Sequence, residues 1–371
     1  MALPRTLKKL LDLPTAAYLE TAVMDYLKDV CGKMAGVTLK TDRYGNLLAH
    51  YRHNPPKRTP LAFAAHTDHP GFCALEMLDK RTLRAAFRGG VRPEYFDGSR
   101  VKFWVDGAWV KGRVLKLSKV EPSPVPTRPA TPKEAHIQVA KAVPANALGM
   151  WDLPDAVLKD DRVIARGCDD LAGVAAMVTL LERLSKKKAS AEAYCLFTRS
   201  EEVGFVGAMG AIKARTIPKR VPVLSIETSS ALVNAPIGEG PIIRVGDRAV
   251  VYSSDLVGFC TRVATELSGR RKKFRYQRKL MDGGMCEAAA FGCNGYQAAG
   301  ICLALGNYHN MNTKREKIDS EWVSLADWQG MVDLFEALVL DQHGPGGKDE
   351  TPRVRIDKVF AEGEALLLAS G

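Results

Sequence analysis

The sequence predicts an α/β fold: a mixed sheet flanked by helices, with a small β-barrel-like domain inserted into it. Three observations carry this. Short apolar runs fit for buried strands alternate with helix-like stretches, as where Tyr194, Leu196 and Phe197 lead through Glu201 and Glu202 to Gly204, Gly207, Ala208 and Ala211. Between residues 72 and 161 that alternation stops, and short β-rich runs separated by Gly and Pro take over. Finally, polar residues of metal-ligand type recur where buried strands end or helices open, the edge at which open α/β sheets place their sites.

The elements follow in order. Residues 15–34 predict an amphipathic helix, with Leu19, Val23, Met24, Leu27 and Val30 on one side. Residues 38–51 predict two strands joined by a turn at Tyr44-Gly45-Asn46. The apolar run 61–65 is a buried strand that enters His66-Thr67-Asp68-His69-Pro70-Gly71. Strands are then expected at 72–78, 83–88, 101–105, 109–117 and 137–140, with an exposed Pro-rich loop over 121–132. From Val163 the α/β alternation resumes. Asp169 and Asp170 open a helix running through Leu184, the Glu201 strand and a helix follow, and a strand over 222–226 ends at Glu227. Residues 254–267 read as helix, 297–303 as a strand leading to His309, and 323–340 as a closing amphipathic helix. The expected division is a discontinuous α/β domain (1–71 and 162–345), an inserted β-rich domain (72–161) and a C-terminal tail (346–371).

Composition narrows the class. The 371 residues, 46% hydrophobic, suit a globular protein, and no apolar run is long enough to span a bilayer. The N-terminus is basic and amphipathic without an apolar signal core, so a cytoplasmic protein is expected. Eight cysteines without a CxxC pair read as reduced core residues. The net charge of +11 is partly local, in residues 270–279. That run reads as a solvated face or the rim of a site for acidic ligands rather than a nucleic-acid patch.

Five places share the polar pattern: His66 with Asp68, Asp169, Glu201 with Glu202, Glu227, and His309. Each alone has a plainer reading. The histidines could be core or loop residues, Asp169 a helix cap, Glu227 a surface turn, and the glutamate pair a solvated loop. Together, two histidines and several carboxylates suit zinc, and a shared carboxylate suits a two-metal hydrolase. His69 lies in the same loop and could face substrate or cap the turn; His50, His53, His136 and His343 lack such a context.

At these residues the chain resembles the dinuclear zinc peptidases of clan MH, most closely the tetrahedral or glutamyl aminopeptidase family. The resemblance rests on His66-Thr67-Asp68, Asp169-Asp170-Leu171-Ala172-Gly173, Glu201-Glu202-Val203-Gly204, Ile226-Glu227 and Tyr308-His309, with Asp42, Gly45 and Asn46 upstream. A β domain between the first histidine and the aspartate separates this branch from the carboxypeptidase and aminoacylase branch, whose lid follows the glutamate pair. The resemblance implies two divalent ions, zinc first, with cobalt or manganese also fitting the O/N donors. By it, Asp169 bridges the ions, His66 and Glu227 complete one ion's ligands, and Glu202 and His309 the other's. Asp68 orients His66, and Glu201 is the general base. Short peptides losing their N-terminal residue are the implied substrates, and a homo-oligomer, dimer or larger, the implied assembly.

The sequence departs from the family at His69 (usually Glu), Leu171 (commonly Arg) and Glu227 (usually Asp). Glu at the last position goes with carboxypeptidases and deacylases, so a carboxypeptidase, dipeptidase or N-acyl-amino-acid deacylase is the nearer alternative. A non-catalytic basic binding protein on a peptidase scaffold is the further one.

Overall fold

A computed structural model of the chain describes residues 2–123, 129–346 and 352–371. Its centre is an eight-stranded sheet in the order Val37–Thr41, Leu47–His53, Ala191–Thr198, Leu61–His66, Val223–Ser230, Ala298–Leu305, Ile242–Asp247, Gln277–Met281. The four middle strands are mutually parallel, while Leu47–His53 and Ile242–Asp247 flank them antiparallel. Parallel strands covered on both faces read as unbroken apolar runs, and every residue of Leu61–His66 is buried.

Period-two alternation shares these strands between two cores. Phe63, Ala65 and Phe197 face one side, against Val174, Val178 and Leu181 of the helix Leu171–Lys187 and Trp328, Val332 and Phe335 of the helix Leu325–Leu340. Ala62, Ala64 and Leu196 face the other, against Ala208 and Ala211 of the helix Val206–Ala214 and Phe291. A Phe63→Ala change would open a void between sheet and helix, since its ring centroid lies 4.9 Å from that of Phe335.

The inserted segment forms a closed six-stranded barrel, in the order Gly71–Met77, Thr82–Arg88, Thr131–Val139, Ala108–Glu121, Arg100–Val105, Leu148–Trp151. Closure leaves no unpaired strand edge. Its interior packs Phe72, Phe87, Phe96, Phe103 and Trp151. Gly149 is required there, because a Cβ would come within 2.4 Å of the Phe103 ring. A small sheet, Val157–Lys159, Arg162–Ala165 and Glu321–Ser324, returns the chain to the main body and sets Glu321 opposite Ala165.

Several elements differ from the sequence expectation. The second helix is Thr21–Gly32, shorter than 15–34, and another, Arg5–Asp12, precedes it. Barrel strands reach Glu121 and begin again at Thr131, so the Pro-rich stretch is shorter than expected, and its residues 124–128 lie outside the described ones. Glu227 sits inside the strand Val223–Ser230, not at its end, because Thr228–Ser230 continue pairing with Leu303–Leu305. Strands Ile242–Asp247, Gln277–Met281 and Glu321–Ser324 are additions to those expected. The tail carries a helix, Pro352–Ser370, that leaves Ile356, Phe360, Leu366 and Leu367 exposed. Among the described residues, no helix is long and apolar enough to cross a membrane.

Candidate metal centre

The carboxyl ends of parallel strands converge on one edge, which brings distant residues together. His66 is the last residue of its strand and pairs in register with Thr198, three residues before Glu201. Glu227 comes from the next strand, and Asp169 from the turn before the helix Leu171–Lys187. His309 follows the strand Ala298–Leu305 in a tight turn where Asn307, His309 and Asn310 all take positive φ (55°, 52° and 65°), a region that non-glycine residues occupy sparingly.

The five residues expected as ligands meet around Asp169. His66 Nε2 lies 3.3 Å from Asp169 Oδ1 and 3.5 Å from Glu227 Oε1. His309 Nε2 lies 3.5 Å from Asp169 Oδ2 and 3.2 Å from Glu202 Oε2. The groups His66/Asp169/Glu227 and Asp169/Glu202/His309 each have ligand atoms within 4.8 Å of one another, as do His66, Glu201 and Glu202. These residues fit divalent cations for a further reason. Asp169 Oδ1 and Glu202 Oε1 are buried without a hydrogen-bond partner, and carboxylate oxygens so placed suit a cation.

Crowding like charges in a dry site has the expected electrostatic result. Burial, then the charge of Asp169, pushes Glu227 up to about 8. Burial and neighbouring acids raise Glu201 and Glu202 well above the usual carboxylate range. Burial alone would depress His66, but the Glu201 charge and the contacts to Asp169, Asp68 and Glu227 raise it well above its ordinary value. Burial would raise Asp169; the two histidines outweigh it and hold that carboxylate well below its ordinary value.

A stability prediction follows. Without metal, the folded site holds protons that unfolded glutamates lose above 4.5, so the folded state binds more protons between that value and about 8. Stability of the metal-stripped protein therefore falls as pH rises through this window. The depression of Asp169 acts below 3.8, outside it. Divalent ions bound at these carboxylates would take the place of the protons. The Tm gap between metal-loaded and metal-stripped protein should widen from pH about 5 to about 8; a gap that narrows would show that these carboxylates are not the metal's partners.

Surrounding contacts fix these side chains. Asp68 accepts the N–H of Glu201 (2.9 Å) and of Glu202 (3.1 Å). His66 Nδ1 lies 3.2 Å from the Asp68 carbonyl and 3.6 Å from its carboxylate. His309 Nδ1 donates to the Gly90 carbonyl at 2.9 Å, which turns Nε2 toward Asp169 and Glu202. His69 is fully buried, its Nδ1 2.7 Å from the Asp169 carbonyl and its Nε2 3.0 Å from Asn310 Oδ1, so it braces the site from behind.

Sequence reasoning missed three residues here. Buried Glu321 accepts the N–H of Asp169 at 3.1 Å. Arg244, 2% exposed, lines a cavity of about 270 Å³ together with Asp169, Glu201, Glu227, Met285 and Tyr308. Buried Glu287 lies near His66 and Asp68, its carboxyl pushed up to about 7 by burial. Local patterning signals none of them, because each is a polar residue whose partners are remote in sequence. The basic run 270–279 does not line the cavity. Its Arg271 and Arg275 instead meet Asp333 and Glu239 in exposed ion pairs.

Comparison with known proteins agrees with this architecture. The sequence profile of the M42 glutamyl aminopeptidase family matches residues 45–321. A putative aminopeptidase of Acetivibrio thermocellus is 31% identical over 257 residues, which span 66% of this chain and 73% of that protein. Among solved structures, the aminopeptidase APDkam598 of Desulfurococcus kamchatkensis superposes with a TM-score of 0.74 at 22% identity, covering 91% of this chain and 94% of that one. The TET1 peptidase of Pyrococcus horikoshii, which can assemble into a tetrahedron or a large octahedral shell, gives 0.73 at 20% identity, covering 91% and 98%. The family is one of hydrolytic enzymes, which sets aside a non-catalytic binding scaffold. This chain belongs to the M42 glutamyl aminopeptidase family and is a metal-dependent aminopeptidase.

Proposed function

We propose that the protein removes N-terminal residues from short peptides with two divalent ions, zinc first and cobalt or manganese next, which Asp169 bridges. The observation that carries this is the division of the Asp169 carboxylate: Oδ1 faces His66 and Oδ2 faces His309. His66 and Glu227 would hold one ion, and Glu202 and His309 the other. The ions supply a lowered pKa for water and stabilise negative charge on the peptide carbonyl oxygen. Glu201, on the cavity wall, takes the proton of the attacking water and later delivers it to the leaving amine. Asp68 holds the backbone of Glu201 and Glu202 and stands beside His66.

Arg244 supports a preference for acidic N-terminal residues. Its Nη1 donates to Ser229 Oγ at 3.1 Å, but its Nε has no hydrogen-bond partner and no carboxylate forms an ion pair with it among the described residues. A buried guanidinium so placed favours a substrate carboxylate. Arg244→Met should lower kcat/KM for glutamyl and aspartyl amides by about 10–100-fold, the value of a charged hydrogen bond, and leave leucyl amide turnover nearly unchanged. An equal loss on all three would remove Arg244 from substrate recognition. Glu227 favours the second reading, a carboxypeptidase, dipeptidase or deacylase. If wild-type protein cleaves only N-acetylated dipeptides with a free carboxylate, that reading replaces the first, and Arg244 reads the peptide's C-terminus.

The same reading takes residues 1–71 and 162–345 as the catalytic domain, 72–161 as an inserted domain and 346–371 as an appended tail. It takes the protein as a cytoplasmic homo-oligomer, a dimer or larger, that requires neither membrane nor nucleic acid. The shell-forming TET1 relative supports the assembly. A monomeric mass in solution would remove it.

A further inference from the structure

The segment 199–202 carries Glu201 and Glu202, and side chains take all four of its consecutive backbone N–H groups. Asn46 Oδ1 accepts from Arg199 (3.1 Å), Glu20 Oε1 from Ser200 (3.0 Å), and the two Asp68 oxygens from Glu201 and Glu202. Ser200 is held at φ 54°, a left-handed conformation unfavourable for a residue with a Cβ. Glu20 is the group that fixes it. Its carboxylate is fully buried; Oε1 also accepts from the Ser200 hydroxyl (3.0 Å) and the Tyr18 N–H (2.9 Å), and Oε2 from Arg199 Nε (2.8 Å). A buried carboxylate with four donors is strongly oriented. No ligand residue of the metal centre is among those donors.

We propose that Glu20, from the N-terminal segment, is the positioning residue for Glu201. It locks Ser200 in the left-handed turn and so sets the direction in which the next side chain leaves the backbone. This rests on the reading of Glu201 as the proton-transfer group. Reacting groups tolerate little misplacement; a shift of about 1 Å costs about 10²-fold. Loss of Glu20 should therefore lower turnover and spare substrate binding and the ions, since Asp68 still holds the Glu202 N–H and His66, Asp169, Glu227 and His309 come from other segments.

The test is a double-mutant cycle. Glu20→Gln keeps the shape but sets an amide against the Arg199 donor. It should retain two ions per chain and an unchanged KM, and lose kcat by about 10–100-fold. In a Glu201→Gln background the same change should cost nothing further in single-turnover rate, because it acts through a group already removed. If Glu20→Gln fails to fold, Ser200→Ala removes one of the contacts and should give a smaller kcat loss that also vanishes in that background. An additive loss in both backgrounds, a loss of metal, or a lowered Tm with unchanged kcat overturns the proposal. Full activity of Glu201→Gln by itself overturns the proton-transfer reading instead, so the two failures are distinguishable.

Discussion

Glu201→Gln should keep both ions, bind a substrate-like inhibitor normally and lose turnover by about 10²–10⁴-fold, the usual contribution of a positioned base. The amide preserves shape and hydrogen bonding but cannot take a proton. Glu202→Gln is the informative contrast. Its Oε2 lies 3.2 Å from His309 Nε2 and its Oε1 is buried and unpartnered, so removing its charge should weaken metal binding, with activity partly restored by excess metal. Metal titration and single-turnover rates on both variants decide the assignment. Loss of metal from Glu201→Gln with retention in Glu202→Gln would exchange the two roles, an outcome made concrete by the proximity of Glu201 to His66 and Glu202.

Asp169→Ala should remove both ions and abolish activity, whereas His66→Ala and His309→Ala should each weaken chiefly one. The reason is geometric: each oxygen of Asp169 serves a different histidine. Metal content per chain, measured with activity across added zinc, cobalt and manganese, checks this. Two ions retained in Asp169→Ala would end the bridging assignment. The size of the effect comes from charge balance as well as ligand count. With Asp169 gone, the site loses a buried carboxylate that faces both histidines, and with it negative charge that would attract the ions.

The strands and candidate ligands that the sequence marked share one property: local signals marked them. Leu61–His66 is an apolar run followed by polar residues, and so is the stretch from Ala193 to Phe197 within Ala191–Thr198. Ile242–Asp247 and Gln277–Met281 carry Arg244, Gly246, Arg278 and Lys279, which interrupt any apolar pattern; pairing makes them strands, the first beside Ala298–Leu305 and the second beside the first. Glu227 looked like a strand end because Thr228, Ser229 and Ser230 resemble a turn, yet their backbones pair along the cavity wall. Glu20, Arg244 and Glu321 were invisible for a related reason. A buried charge is recognised by its partners, and apart from the Tyr18 N–H those of Glu20 lie 179 and 180 residues away.

The hydrogen bond from His309 to Gly90 changes how the inserted barrel should be regarded. Gly90 lies just beyond the barrel strand Thr82–Arg88, and a Cβ there would come within 3.2 Å of the His309 ring. The module that a topology diagram marks as detachable therefore holds the ring of a candidate ligand carried by the main body. A shortened protein lacking the barrel, however well its sheet folded, would leave that imidazole free to turn. Grafting the sheet alone into another protein would transfer the candidate ligands without the means to aim them.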